Sequence, residues 1–188
     1  MDAFTELINT TDSIQSAIFS DTLDEYLAKR LEKCLANPKS RDGAIRIRDA
    51  NWDKFREKTE AAVVDALAKN PSLLESTKAI YYEYDTDNGW GGDFFFCASY
   101  NPISQEDDDW ACDYEVSVEA PAAPELAGPE LVFANGDAED YSLFFYALVE
   151  VTRNLALVEK SLKEKFPNLP RICVAFHDQD PITRLAKD

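Results

Sequence analysis

No stretch of this chain approaches the ~20 consecutive apolar residues that a bilayer-spanning helix requires. The first residues, Met1-Asp2-Ala3-Phe4-Thr5-Glu6, also lack the basic and apolar regions of a secretory signal. A soluble, cytoplasmic protein without membrane contact is the expectation. Cysteine is sparse and scattered: Cys34, Cys97, Cys112 and Cys173 lie 63, 15 and 61 residues apart, which excludes a CxxC metal knuckle and a dense disulfide framework. Reduced, mostly buried thiols are expected. Histidine is represented once, by His177, and no GxSxG, HExxH, P-loop or GxGxxG pattern occurs. No reaction, cofactor or metal is named by such a sequence.

The most informative scarcity is of positive charge. From Ala79 to Thr152 there are seventeen Asp and Glu and not one Lys or Arg, while the other residues carry nineteen of each sign and sum to zero. The net charge of -17 therefore belongs to one stretch. Phosphate neutralisation needs Lys or Arg, so direct nucleic-acid binding by that stretch is disfavoured. Like charges packed together also oppose the compact state, so added salt is expected to stabilise the fold.

What is present is globular. A hydrophobic fraction of 45% and an aromatic fraction of 12% over 188 residues suit one domain, with residues 1–76 helical and 77–188 forming a sheet with a long helix. Leu23, Tyr26, Leu27, Leu31, Cys34 and Leu35 make one helical stripe, with Asp21 as its expected N-cap and Pro38 beyond its end. A helix before it carries Phe4, Leu7, Ile8, Ile14 and Ile18, with Thr10-Thr11-Asp12 as an expected interruption. A third spans about Trp52 to Lys69 and is stopped by Asn70-Pro71.

The period then becomes two. Ile80, Tyr82 and Tyr84 alternate with Tyr81, Glu83 and Asp85; Phe94, Phe96, Ala98 and Tyr100 alternate with Phe95, Cys97 and Ser99. Trp110, Cys112, Tyr114, Val116 and Val118 alternate with Ala111, Asp113, Glu115, Ser117 and Glu119, giving a third strand with one dry and one acidic face. Asn88-Gly89, Gly91-Gly92 and Asn101-Pro102 supply short links, which predict an antiparallel meander. After a Pro-rich segment and a brief extended piece at Leu131 to Phe133, Asp137 is expected to cap a helix running from Phe144 to Phe166 on its inner face. Ile172 to Phe176 is apolar on both faces and reads as an interior strand. The fold class is α+β: a mostly antiparallel sheet, the three-strand meander plus a C-terminal strand, packed against helices.

Three groups of side chains could carry function. Asp85, Asp87 and Gly89 alternate as in a calcium loop, but the positions that need glycine and glutamate hold Trp90 and Phe96, so a plain hairpin is expected. His177, with Asp178 and Asp180 after it, ends the last strand; a polar turn before Pro181 accounts for it without chemistry. The tetrad Glu106, Asp107, Asp108 and Asp109 is flanked by aromatic residues, Trp90, Tyr100, Trp110 and Tyr114, and the expectation is that no positive charge nearby neutralises it.

The helical start, the strand Ile80-Tyr81-Tyr82-Glu83-Tyr84-Asp85, the Asp107-Asp108-Asp109-Trp110 strand entry and the Phe176-His177-Asp178 ending resemble small, acidic bacterial proteins, some of them immunity proteins encoded beside secreted toxins. The glycine-centred signature of the commonest large immunity superfamily is absent. The resemblance implies neutralisation of a basic toxin by occlusion. The charge pattern independently predicts a non-catalytic binding module whose acidic face meets a basic protein partner, using Asp85, Asp87, Trp90, Asp93, Glu106, Asp107, Asp108, Asp109, Trp110, Asp113 and Glu115. Two other readings stand beside it: a metal-dependent enzyme built on Asp85, Asp87, Asp178 and Asp180, and a mimic of nucleic acid that shares the acidic face.

Overall fold

The computed structural model describes residues 3–86, 89–105, 107–128, 131, 141–176 and 182–187. The chain begins with helices α1 (Ala3–Phe19), α2 (Leu23–Ala36), α3 (Arg41–Arg48), α4 (Trp52–Lys69) and the single turn α5 (Leu73–Ser76). Strands β1 (Ala79–Asp85), β2 (Gly91–Cys97) and β3 (Tyr114–Ala120) follow, then α6 (Ser142–Lys165), β4 (Arg171–Phe176) and the two-residue β5 (Thr183–Arg184). The sheet order is β3-β2-β1-β4-β5, with antiparallel neighbours throughout except the parallel pair β1 and β4. The expected α+β class and meander hold, and the apolar run Ile172–Ala175 is interior, between β1 and β5.

Local chemistry explains where the sequence reading was displaced. Thr10-Thr11-Asp12 does not interrupt α1, because Thr11 Oγ1 donates to the Leu7 carbonyl at 3.0 Å and Thr10 is buried where it accepts from Arg30. Asp21 is not the N-cap of α2. It closes α1 instead, at φ 58°, where the Thr22 amide reaches the Ala17 carbonyl and the Asp21 amide reaches that of Ile18, a Schellman closure that Asp tolerates better than most residues. The helix α3 went unread because its stripe is only Ala44 and Ile47. At its Gly43 an added Cβ would stand 2.5 Å from the end of the Leu143 side chain of α6, which would have to shift.

The strands shift as well. Gly91-Gly92 belongs to β2 rather than to a turn, paired with Asp85 and Tyr84 of β1, and a side chain at Gly92 would collide with the Glu83 carbonyl. The third strand starts four residues late: Asp109–Cys112 is a 3-10 turn, so Trp110 and Cys112 leave the alternation. A register shift between Phe96 and Cys97 marks that entry. Asp137, Glu139 and Asp140 and the extended piece at Val132-Phe133 lie outside the described residues, and α6 starts at Ser142 with Tyr141 as N-cap.

One core joins the helical and sheet parts. Ile80, Tyr82, Tyr84, Phe94, Phe96, Ile172 and Val174 face the helices and pack with Leu7, Phe55, Phe144 and Leu162. Each such side chain contributes roughly 1.5–3 kcal/mol by leaving water. α6 touches α2, α3 and α4 as well as β4, so every residue from Ser142 to Thr152 is buried, far more than one amphipathic stripe. Glu159 of α6 accepts the Ile172 amide at 3.1 Å and pairs with Lys163 at 2.7 Å, tying helix to sheet.

Candidate protein-binding face

The face of the sheet turned away from the helices carries a second, smaller cluster: Ala79, Tyr81, Cys97, Trp110, Ala111, Cys173, Ala175 and Ile182, with Phe95 and Tyr100 against it. Side chains alternate along a strand and stay in register across the ladder. This outer face therefore reads in rows. Cys173, Tyr81, Phe95 and Ser117 form one; the next is Ala175, Glu83, Asp93 and Glu119.

At the first end the chain covers its own sheet. Arg184 of β5 is 2% exposed, and its guanidinium meets Asp108 Oδ1 at 2.6 Å and the carbonyls of Ile182 and Asn101. The rings of Tyr100 and Trp110 lie 6.0 and 5.8 Å from that guanidinium. Burial is the largest single influence on Arg184 and works against its charge, but the hydrogen bond and charge of Asp108, with smaller help from Tyr100 and Cys173, together outweigh it and its pKa rises. Gln15 of α1 pins the same residue by exchanging hydrogen bonds with its backbone at 2.9 and 2.7 Å. Asp108 is thus a structural anion with a buried cation from 76 residues on, which corrects the expectation that no positive charge neutralises the tetrad. Trp110, 3% exposed, is part of this cover rather than a surface contact.

The other end is a row of carboxylates. Glu83 pairs with Asp93, and Asp93 with Glu119, so three carboxylates stand side by side across β1, β2 and β3, and the row continues only to Ala175. Glu83 and Asp93 are half-buried and Glu119 is exposed. Tyr81 Oη donates to Glu83 Oε2 at 3.3 Å. The Asp93 charge is felt through the sheet at Tyr82, whose pKa is raised chiefly by burial and further by that carboxylate. Beside the row, Phe95 stacks on Tyr81 and contacts Tyr114, which is 49% exposed.

The remaining expected residues divide. Asp85 ends β1, half-buried. Asp107, exposed, accepts from Asn101 at 2.9 Å and from the Asp109 amide at 3.1 Å; Asp109 is exposed. Asp113 accepts from Ser99 at 2.8 Å and Glu115 from Ser76 at 3.1 Å, both at the surface. Trp90 is not on this face: it is fully buried on the helix side, stacked on Tyr84 at 5.1 Å and close to Phe144. It takes φ 60°, a strained value for a bulky residue, held by this packing and by Tyr82 Oη donating to its carbonyl. Asp87, Glu106, His177, Asp178 and Asp180 lie outside the described residues.

Among the described residues, no three His, Cys, Asp or Glu side chains gather closely enough to hold a metal ion. Three of the four thiols are buried. Burial pushes the Cys97 thiol up to about 12 and raises that of Cys173; Cys34 is buried and donates to the Ser142 carbonyl, leaving Cys112 exposed. Glu83, Glu119, Tyr114 and Arg184 were missing from the sequence-derived site. Strand register was the signal for the first two, since each sits in an acidic alternate position of a legible strand. No helix among the described residues is long and apolar enough to cross a membrane. Comparison with protein-family models, curated proteins and solved structures finds no match.

Proposed function

We propose that this protein is a non-catalytic, cytoplasmic binding module that docks a basic protein partner on the acidic part of its outer sheet face. The observation that carries the reading is the Glu83-Asp93-Glu119 row. Like charges set directly opposite on neighbouring strands destabilise a sheet, and a partner cation that enters the row reverses the sign of that interaction. Phe95 and Tyr114 beside it offer aromatic area for short-range affinity. Neutralisation of a basic toxin is the most concrete version of this function.

The test is capture on the immobilised protein and on a variant carrying Glu83→Gln, Asp93→Asn and Glu119→Gln. A cationic partner held by the natural chain, released between about 50 and 300 mM salt and lost by the variant, supports the reading. Equal capture by both proteins overturns it. For the toxin version, the captured partner expressed alone must arrest growth, and co-expression of this protein must restore it.

A further inference from the structure

The sheet ends on one side at β3, and among the described residues no strand lies beside it. Every second residue of an edge strand directs its amide and carbonyl outward. Its seven residues offer roughly 23 Å of edge at ~3.3 Å per residue. Natural edges are commonly blunted by shortness, by proline, by bulges or by charged side chains, lysine above all. β3 is as long as β1 and β2 and has no proline or lysine; its charges are the carboxylates Glu115 and Glu119, which select a cationic neighbour, and its register shift lies at its start. The two faces of this edge also differ. Glu119 and Ser117 continue the outer rows, whereas Val116 and Val118 are partly buried and border the main core.

We propose that the β3 edge receives an extended segment of the basic partner as a sixth strand, an inference that rests on the acidic-face function and gives it a geometry. The occupant is defined by its chemistry: Lys or Arg at alternate positions, with apolar residues between them. A cationic side chain beside Glu119 extends the carboxylate row by one strand spacing, ~4.8 Å. The intervening residues then land beside Val116 and Val118 and lengthen the apolar face, while main-chain hydrogen bonds supply the pairing. A second copy of this chain is a poor occupant. Pairing β3 with β3 sets Glu115 and Glu119 of both copies along one seam, where like charges repel.

The probe is a capped heptapeptide alternating Lys and Val, with Lys at both ends, titrated by calorimetry into the full chain. Its controls are a same-composition peptide with the four Lys and three Val in separate blocks, and two analogues N-methylated on either all Lys or all Val residues. The expected result is binding of the alternating peptide, at least tenfold weaker binding of the block peptide and of one methylated analogue, and slowed amide exchange in Tyr114–Ala120. If all four peptides bind alike and Glu119→Gln weakens all of them equally, the edge inference falls while the acidic-face reading stands. If none binds even at low salt, both fall. A concentration-dependent dimer, seen by sedimentation and abolished by the peptide, would mean that the edge takes a second copy instead.

Discussion

Two ends of one sheet face handle acidic residues in opposite ways. Near β5, Asp108 is closed under aromatic rings against a buried arginine. One row further along the same strands, Glu83, Asp93 and Glu119 are lined up as directly opposed like charges. The first end shows that this fold can bring a cation to an acid across a long sequence separation when the acid is structural. The second keeps like charges adjacent on neighbouring strands, at a cost in stability.

The contrast breaks most readily at Arg184. Replacing it with alanine strands a largely buried carboxylate at Asp108 and removes the guanidinium beside Tyr100 and Trp110. Such a truncation of a buried pair costs about 3 kcal/mol. Denaturant titration of Arg184→Ala must show a lowered midpoint, with a smaller loss for Asp108→Asn. If Arg184→Ala is neutral, the covered end is not structural and the comparison loses one side.

The opposite sign is expected at the row. Glu83→Gln, Asp93→Asn and Glu119→Gln together remove two directly opposed like-charge pairs. The gain is about 1 kcal/mol at low ionic strength, shrinking as salt screens the natural chain. Thermal midpoints of the two proteins must converge as salt rises. Parallel curves would mean that the carboxylates do not sense one another.

A pH series separates crowding from burial. Among the described residues of the acidic stretch, Glu150 on α6 has a raised pKa, and the largest cause is its removal from water; Arg153 and the bond from Asn154 oppose it. A raised native pKa contributes stability that is fully present below the unfolded value near 4.5 and is lost as pH climbs through the folded value. Glu150→Gln keeps an acceptor for Asn154 and cannot ionise. The variant's midpoint is therefore expected to fall less than the natural chain's as pH rises above about 4.5. The row variant must retain the natural pH slope from this residue, so the two substitutions are distinguishable.

Much of the fold was legible because it depends on local period. The stripe of α2, the alternations of β1 and β2, and the doubly apolar β4 all depend on which residues neighbour one another in sequence. What escaped depends on register and on distant partners. Trp110 looked like part of an alternating strand, and only the turn at Asp109–Cys112 puts it over the outer face. Trp90 looked like a surface aromatic among acids, yet a left-handed backbone turns it into the core beside Phe144. Arg184 stands in a short C-terminal strand with no pattern to announce it, so its pairing with Asp108 could not be read from spacing. The acidic row itself was half visible, since Asp93 was picked out and its neighbours were assigned to strands but not to a site.

The smallest expected effect sharpens the boundary between the two ends. Asp109 is exposed in the turn that carries Trp110, and its described hydrogen bond is made by its backbone amide to Asp107. Its side chain stands near the covered end rather than in the Glu83-Asp93-Glu119 row. Asp109→Asn should leave stability within about 0.5 kcal/mol of the natural chain, as surface substitutions away from special features do. It should also lower affinity for a cationic partner less than Asp93→Asn does, because screening over a Debye length of ~8 Å at physiological salt favours the carboxylates nearest the docked cation. Calorimetric titration of the two single variants decides the matter. Equal losses from both would spread the docking surface over the tetrad loop, and a larger loss from Asp109→Asn would move it off the strands altogether.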